Sequence, residues 1–345
     1  MTEQAPRVII VGQFAQGSLE RSYRTAFESC GCEVLSFDIV QAIAQHCRFG
    51  RLGRAFNNFV PVEAWIRKGN RDLVIHAVQS QPDYLLTFGH YPIQAGALAQ
   101  IRSASNAALV HVWPDTLLNV GGNLILCLPL FDLVASHSRS SVEQLRRMGA
   151  RRVVWIPLAA DPSMHSPVDC TESERLEYGA DVTFVGGWRP EREAILSKLD
   201  GFDLKIWGPD WGRRCRDNKA VANNWRGRPL YETEFAKAVA SSKINLNIID
   251  PSNYPGANMR FFEIPVAGGL QVSSPCPEME GEFVHGEHLF YYRDANELPD
   301  LIATLIADTR LRTRVAQAGH AKVLTAQTYT DRVRSILQQF EKGFQ

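Results

Sequence analysis

In the stretch Tyr254 to Ser274 (YPGANMRFFEIPVAGGLQVSS), Arg260 and Glu263 stand three residues apart and so share one helix face. A guanidinium offers charge-assisted hydrogen bonds to phosphate, and a carboxylate accepts from the two hydroxyls of a ribose. Free N–H groups at the start of a short helix would add to the phosphate contact. Gly268 and Gly269 close that helix in the usual C-terminal place, and Phe261 and Phe262 read as packing. The arrangement suits a nucleoside diphosphate. A surface ion pair would also account for Arg260 and Glu263, but not for their Gly/Pro-rich setting. A second stretch, DVTFVGGWRPEREAIL from Asp181 to Leu196, sets Gly186, Gly187, Arg189 and Arg192 at a strand-to-helix switch. The glycines permit close backbone approach and the arginines supply positive charge. Taken alone, a solvated charge run from Arg189 to Glu193 is the plainer reading of it.

The first half offers candidates for handling a hydroxyl. VHVWPDT ends a strand with His111, Trp113 and Asp115, and FGHYP does the same with His90. An imidazole or carboxylate there would take a proton from an acceptor hydroxyl or position it. Against that stand a structural role for either histidine and a helix cap for Asp115. Gly12 follows the first strand, but Gly12-Gln-Phe-Ala-Gln-Gly17 lacks the G-x-G-x-x-G spacing, and Asp38 is only a loose match to a ribose-binding acid. Gly12 then lets the backbone pass close to something in a cleft. No G-x-x-x-x-G-K-[ST], H-E-x-x-H or G-x-S-x-G occurs. The seven scattered cysteines form no C-x-x-C pair, so no metal is expected and the thiols read as buried or partly buried groups in a reducing cytoplasm.

These residues need a scaffold, and the chain supplies a repeated one. Its 345 residues are enough for two domains, and 37 basic side chains balance 37 acidic ones. A neutral chain has no bulk field for polyanions, which makes nucleic acid an unlikely partner. The opening residues form no signal peptide. The most apolar window, Leu117 to Ala135, is broken by Asn, Gly, Pro and Asp, so it reads as core and not as a transmembrane segment. Continuous apolar strands such as RVIIV, YLLTF and ALVHV alternate with amphipathic helices, the mark of a parallel sheet covered on both faces. After an aperiodic, proline-rich stretch beginning at Pro157 the same rhythm restarts. The reading is α/β: an acceptor-side domain at 1–160, a linker at 161–178, a second doubly wound domain at 179–326 and a closing helical segment at 327–345. Leu298 to Ala318 reads as one helix.

The second half resembles the CgeB-like (spore-protein, glycosyltransferase group 1-like) branch of the GT-B glycosyltransferases. The resemblance runs through DVTFVGGWRPEREAIL, LKIWGPDW, SSKINLNI, the N-x-R-x-F-E stretch Asn258 to Glu263, EIPVAGG and the closing TYTDR. It implies a GT-B fold, two Rossmann-like domains facing across a cleft, with a nucleoside-diphosphate sugar held mainly by the second. It implies that Glu263 matches the second glutamate of an E-x7-E pattern, the one that holds ribose, whereas the first position carries Pro255. Asn258 and Arg260 would take over part of that contact. It further implies a retaining, metal-independent transferase with no covalently bound cofactor, acting on a hydroxyl of a glycan, protein or small molecule. The final helix would cross back to the first domain. Donor base, acceptor and oligomeric state are not legible. A degenerate sugar-nucleotide or glycan-binding protein and an NAD-dependent oxidoreductase are the alternatives.

Overall fold

A computed structural model describes residues 5–341, Asn58 through its backbone only. The chain divides into two compact units. One runs up to Pro157 and takes in the described residues from Arg332 onward; the other is Leu158–Asp331. The first unit holds β1 (Arg7–Gly12), β2 (Glu33–Asp38), β3 (Tyr84–Phe88), β4 (Ala108–Trp113), β5 (Leu133–Ser136) and β6 (Val153–Trp155). They form one parallel sheet in the order β2-β1-β3-β4-β5-β6. The second holds β7 (Val182–Val185), β8 (Leu204–Trp207), β9 (Ile244–Asn247), β10 (Gln271–Ser273) and β11 (Phe290–Tyr291), parallel in the order β11-β10-β9-β7-β8.

Helices cover both faces of each sheet, which is why the strands are apolar without alternation. Val8 to Val11 are wholly buried, as are Val182, Ile206, Ile244 and Val272. In each sheet the chain reverses direction once. From β1 it goes to β2 on one side and returns to β3 on the other; from β7 it goes to β8 and returns to β9. Open α/β sheets bind ligands beyond the carboxyl ends of the strands at such switch points.

Several elements differ from the sequence reading. Asp38 caps a helix, Ile39–His46, by accepting from the Gln41 N–H at 2.8 Å, which is its role in place of a ribose contact. The stretch 161–178 is not all linker. Thr171 and Glu174 form a capping box that starts a helix, Glu172–Tyr178, and these residues belong to the second unit. The span Leu298 to Ala318 is two helices, Leu298–Ala307 and Thr309–Ala326, because Asp308 interrupts the run and caps the second through the Leu311 N–H at 2.8 Å. The window Leu117 to Ala135 is core only in part. It folds into short helical pieces and the start of β5, burying Leu124, Leu128, Phe131 and Leu133 but leaving Leu118, Ile125 and Leu126 exposed. Among the described residues no helix is long and apolar enough to cross a membrane.

Candidate active site

The switch point of the second sheet gathers most of the residues singled out above. β7 is followed by Gly186, whose N–H donates to the Trp207 carbonyl at 2.9 Å and whose carbonyl accepts from Trp211 Nε1 at 2.8 Å. Gly208, in the loop after β8, lies so close to that turn that a Cβ would fall 2.0 Å from the Gly186 oxygen; its φ of +146° is also one that L side chains rarely adopt. Only glycine fits there. Arg192 donates through Nη1 to the Gly187 carbonyl at 2.8 Å and through Nε to the Ile248 carbonyl at 3.3 Å, tying the turn after β7 to the turn after β9. Burial lowers its pKa, so backbone carbonyls are compensating a half-buried cation. Arg192 is therefore a brace for the loops. Arg189 is different: its Nε reaches Asp250 Oδ2 at 2.9 Å, while its side chain stays 60% exposed. Burial would raise the Asp250 pKa, but donors from Ser252 and Arg189 outweigh it and lower it.

From β9, Asn247 exchanges two side-chain hydrogen bonds with Asn258, at 2.8 and 3.1 Å, and Asn258 Oδ1 accepts from the Phe261 N–H at 3.0 Å. This caps the helix Arg260–Val266 and pins it to the strand end. Arg260 and Glu263 on its first turn form an ion pair. Arg260 Nε also donates to the Val185 carbonyl at 3.3 Å, and its guanidinium lies 4.3 Å above the Phe235 ring. Glu263 is buried and Arg260 is partly open to solvent. The pair is thus no surface ornament; it joins the helix to the end of β7.

A residue that the sequence did not mark stands beside it. His165 is buried, meets the edge of Phe235 with ring centroids 5.3 Å apart, and senses the charges of Glu263, Arg260 and Asp161. Burial is the main cause of its lowered pKa. It sits on a helical turn opened by Asp161, which accepts from Ser163 Oγ at 2.6 Å, inside a stretch without periodicity. The Asp-Pro-Ser turn was the one signal available.

In the first unit the four candidates part company. Gly12 is required by packing within the unit: a Cβ there would lie 2.5 Å from Glu20 Cγ. Glu20 is buried beside Tyr91, to which it is hydrogen-bonded, and its pKa is raised by burial. His111 is fully enclosed, with Nδ1 2.8 Å from Thr87 Oγ1 and its ring stacked on Phe131 at 4.9 Å. Burial pushes its pKa down to about 3, far from the range where an imidazole is an effective general base at neutral pH. Asp115 spends both oxygens on its own turn, accepting from the Thr116 N–H at 2.7 Å and from Asn119 Nδ2 at 2.6 Å. His90 is exposed after β3, on the rim of a cavity of about 70 Å³ that Thr87, His111 and Phe131 also line. Among the described residues no cluster of three or more His, Cys, Asp or Glu side chains is placed to hold a metal ion.

Residues 189–338 match a family model described as glycosyl transferase-like. A search of curated proteins gives no match. Among solved structures, sucrose-phosphate synthase from Thermosynechococcus elongatus superposes with a TM-score of 0.69 at 12% identity, covering 98% of each chain. A glycosyltransferase from Rickettsia africae gives 0.68 at 13% identity, again over 98% of each chain. Anabaena HepE in complex with UDP-glucose gives 0.64 at 14% identity, over 97% of this chain and 99% of that one. The fold is that of the GT-B glycosyltransferases. Family match and fold together support a glycosyltransferase.

Proposed function

We propose that this protein moves a sugar from a nucleoside-diphosphate donor to a hydroxyl acceptor, and that the second unit holds the donor beyond β7 and β9. The observation that carries the reading is the Arg260–Glu263 pair, buried at its carboxylate end and set at the sheet's switch point inside the matched segment. Glu263 would accept from ribose hydroxyls. Arg260 and the more exposed Arg189 would meet the diphosphate and neutralise the charge that develops on it as the sugar leaves. The helix Arg260–Val266 has seven residues, so the guanidinium charge, more than the helix terminus, does this. Arg192, Gly186 and Gly187 shape the loop that carries Arg189, and Asn258 fixes the helix that carries Arg260.

On the acceptor side, His90 is the candidate that solvent reaches, and it would position the acceptor hydroxyl. His111 keeps the floor beneath it uncharged, and Asp115 holds the neighbouring turn. The resemblance to CgeB-like enzymes, retention of anomeric configuration, independence from metal and a cytoplasmic location belong to the same reading. A solved neighbour binds UDP-glucose, which supports the donor class and leaves the base open here. A thermal-shift panel of UDP, GDP, dTDP and NAD tests it. The matching diphosphate at 100 times its Kd should add about 2.7 kcal/mol of stability. If none of the diphosphates shifts the melting temperature, the donor assignment fails. Release of nucleotide from the matching sugar donor would then separate a transferase from a binding protein.

A further inference from the structure

We infer that the first unit docks on an anionic lipid surface through the ten-residue helix Gly50–Phe59. Phe49 directly precedes the helix, and Leu52, Phe56 and Phe59 follow within it at steps of four and three, which at about 100° per residue confines those three to an arc of about 60°. The four are 84%, 80%, 54% and 87% exposed, and Val60 beyond them is 53% exposed. Contacts on the other side of the helix are local. Gly53 is buried so tightly that a Cβ would strike the Arg48 carbonyl, with the Trp65 ring just beyond, and Asn57 Oδ1 accepts from the Val62 N–H at 2.8 Å. The apolar stripe faces solvent. Phe49 adopts a left-handed backbone, φ +65°, uncommon for a bulky side chain.

Charge selects the partner. From Ile39 to Arg71 the chain carries six basic side chains (Arg48, Arg51, Arg54, Arg67, Lys68, Arg71) against one carboxylate, Glu63, although the whole protein is neutral. Arg48, Arg51 and Arg54 are exposed, and none is in an ion pair among the described residues. A second copy of this face would bring arginine against arginine, which opposes self-association. A short helix with an apolar arc and a basic flank fits the boundary of an anionic bilayer, lying in its plane; about 20 residues would be needed to cross one. The same helix lends Arg54 and Asn57 to a cavity of about 500 Å³ that also takes in Val40, Ile43, Ile66 and His90. The docking inference stands apart from the transferase reading, since loss of either leaves the other intact.

Co-sedimentation of the full chain with vesicles tests it. Vesicles containing about one-third phosphatidylglycerol should bind about tenfold or more better than phosphatidylcholine alone, and salt should weaken that binding. Leu52→Ser with Phe59→Ser, and separately Arg48→Glu with Arg51→Glu, should each lower binding about tenfold at an unchanged melting temperature. Absence of binding to anionic vesicles overturns the inference, as does equal binding to phosphatidylcholine. Unaltered binding by both double variants would place the contact elsewhere. Concentration-dependent dimers that vanish in the Leu52/Phe59 variant would show that a second copy covers the face.

Discussion

His111 shows what a strand position does to a side chain's chemistry. Enclosed between Thr87 and Phe131, it stays neutral in the folded chain down to a pKa of about 3, whereas an ordinary histidine titrates near 6.5. Between those values the unfolded chain holds a proton that the folded one lacks. The sign follows: this contribution to stability is complete above pH 6.5 and is lost as the pH falls toward 3, by at most about 1.4 kcal/mol per pH unit. His111→Gln should flatten that acid limb in denaturant unfolding between pH 4 and 7; an unchanged slope would assign it to other groups. At the proposed donor site the same scale separates charge from shape. Arg260→Lys keeps a cation beside the buried Glu263 but loses the planar fork, so diphosphate affinity should fall while affinity for the bare nucleoside holds. Glu263→Gln should cost nucleoside and diphosphate alike, roughly 10- to 150-fold for a charged hydrogen bond worth about 1.5–3 kcal/mol. Calorimetry reads both, and unaltered affinities would remove the two residues from the site.

The element that holds this pair in place is short and depends on one side chain. Asn258 caps the helix Arg260–Val266 and ties it to Asn247 on β9, so Asn258→Ala removes a cap and leaves a buried amide without its partner. A loss of about 1–2 kcal/mol is expected from denaturant unfolding, together with weaker nucleotide binding although no ligand contact of Arg260 or Glu263 has been deleted. Stability lost with affinity kept would show that the helix is fixed by its apolar packing alone. The strands that frame it were legible from sequence because a doubly covered parallel sheet writes each as an unbroken apolar run. What was illegible was written in single polar residues. Asp38 and Asp308 each start a helix next to apolar runs that look continuous, and Thr171 and Glu174 start one in a stretch read as linker. Arg260 and Glu263 could be put on one helix turn because an i, i+3 spacing fixes that locally, and Gly186 and Gly187 at a strand end because they follow an apolar run. His165 could not, since its contact with Phe235 joins residues 70 positions apart and leaves no local pattern.

At the scale of the whole chain, the two units are joined covalently twice, at Pro157/Leu158 and again at Asp331/Arg332. The second crossing falls inside a helix. Thr328 caps the helix Tyr329–Glu341 by accepting from the Asp331 N–H at 3.3 Å, and that first turn groups with the second unit. From Arg332 on, the helix belongs to the first. Arg332 Nε donates to the Pro157 carbonyl at 3.0 Å, Arg152 holds the carbonyl and side chain of Gln339 at 2.8 and 2.6 Å, and Phe340 packs on Tyr84 with centroids 5.3 Å apart. Val333 and Ile336 of this helix are wholly buried. Ile336→Ala should therefore cost the first unit about 2–5 kcal/mol of packing. The residues proposed to hold the donor lie in the other unit, so nucleotide affinity should stay as it was while transfer to the acceptor slows. Differential scanning calorimetry and nucleotide titration of the same variant give both readings. A drop in nucleotide affinity as large as that of Glu263→Gln would show the helix acting on the donor half and would sink this division of labour.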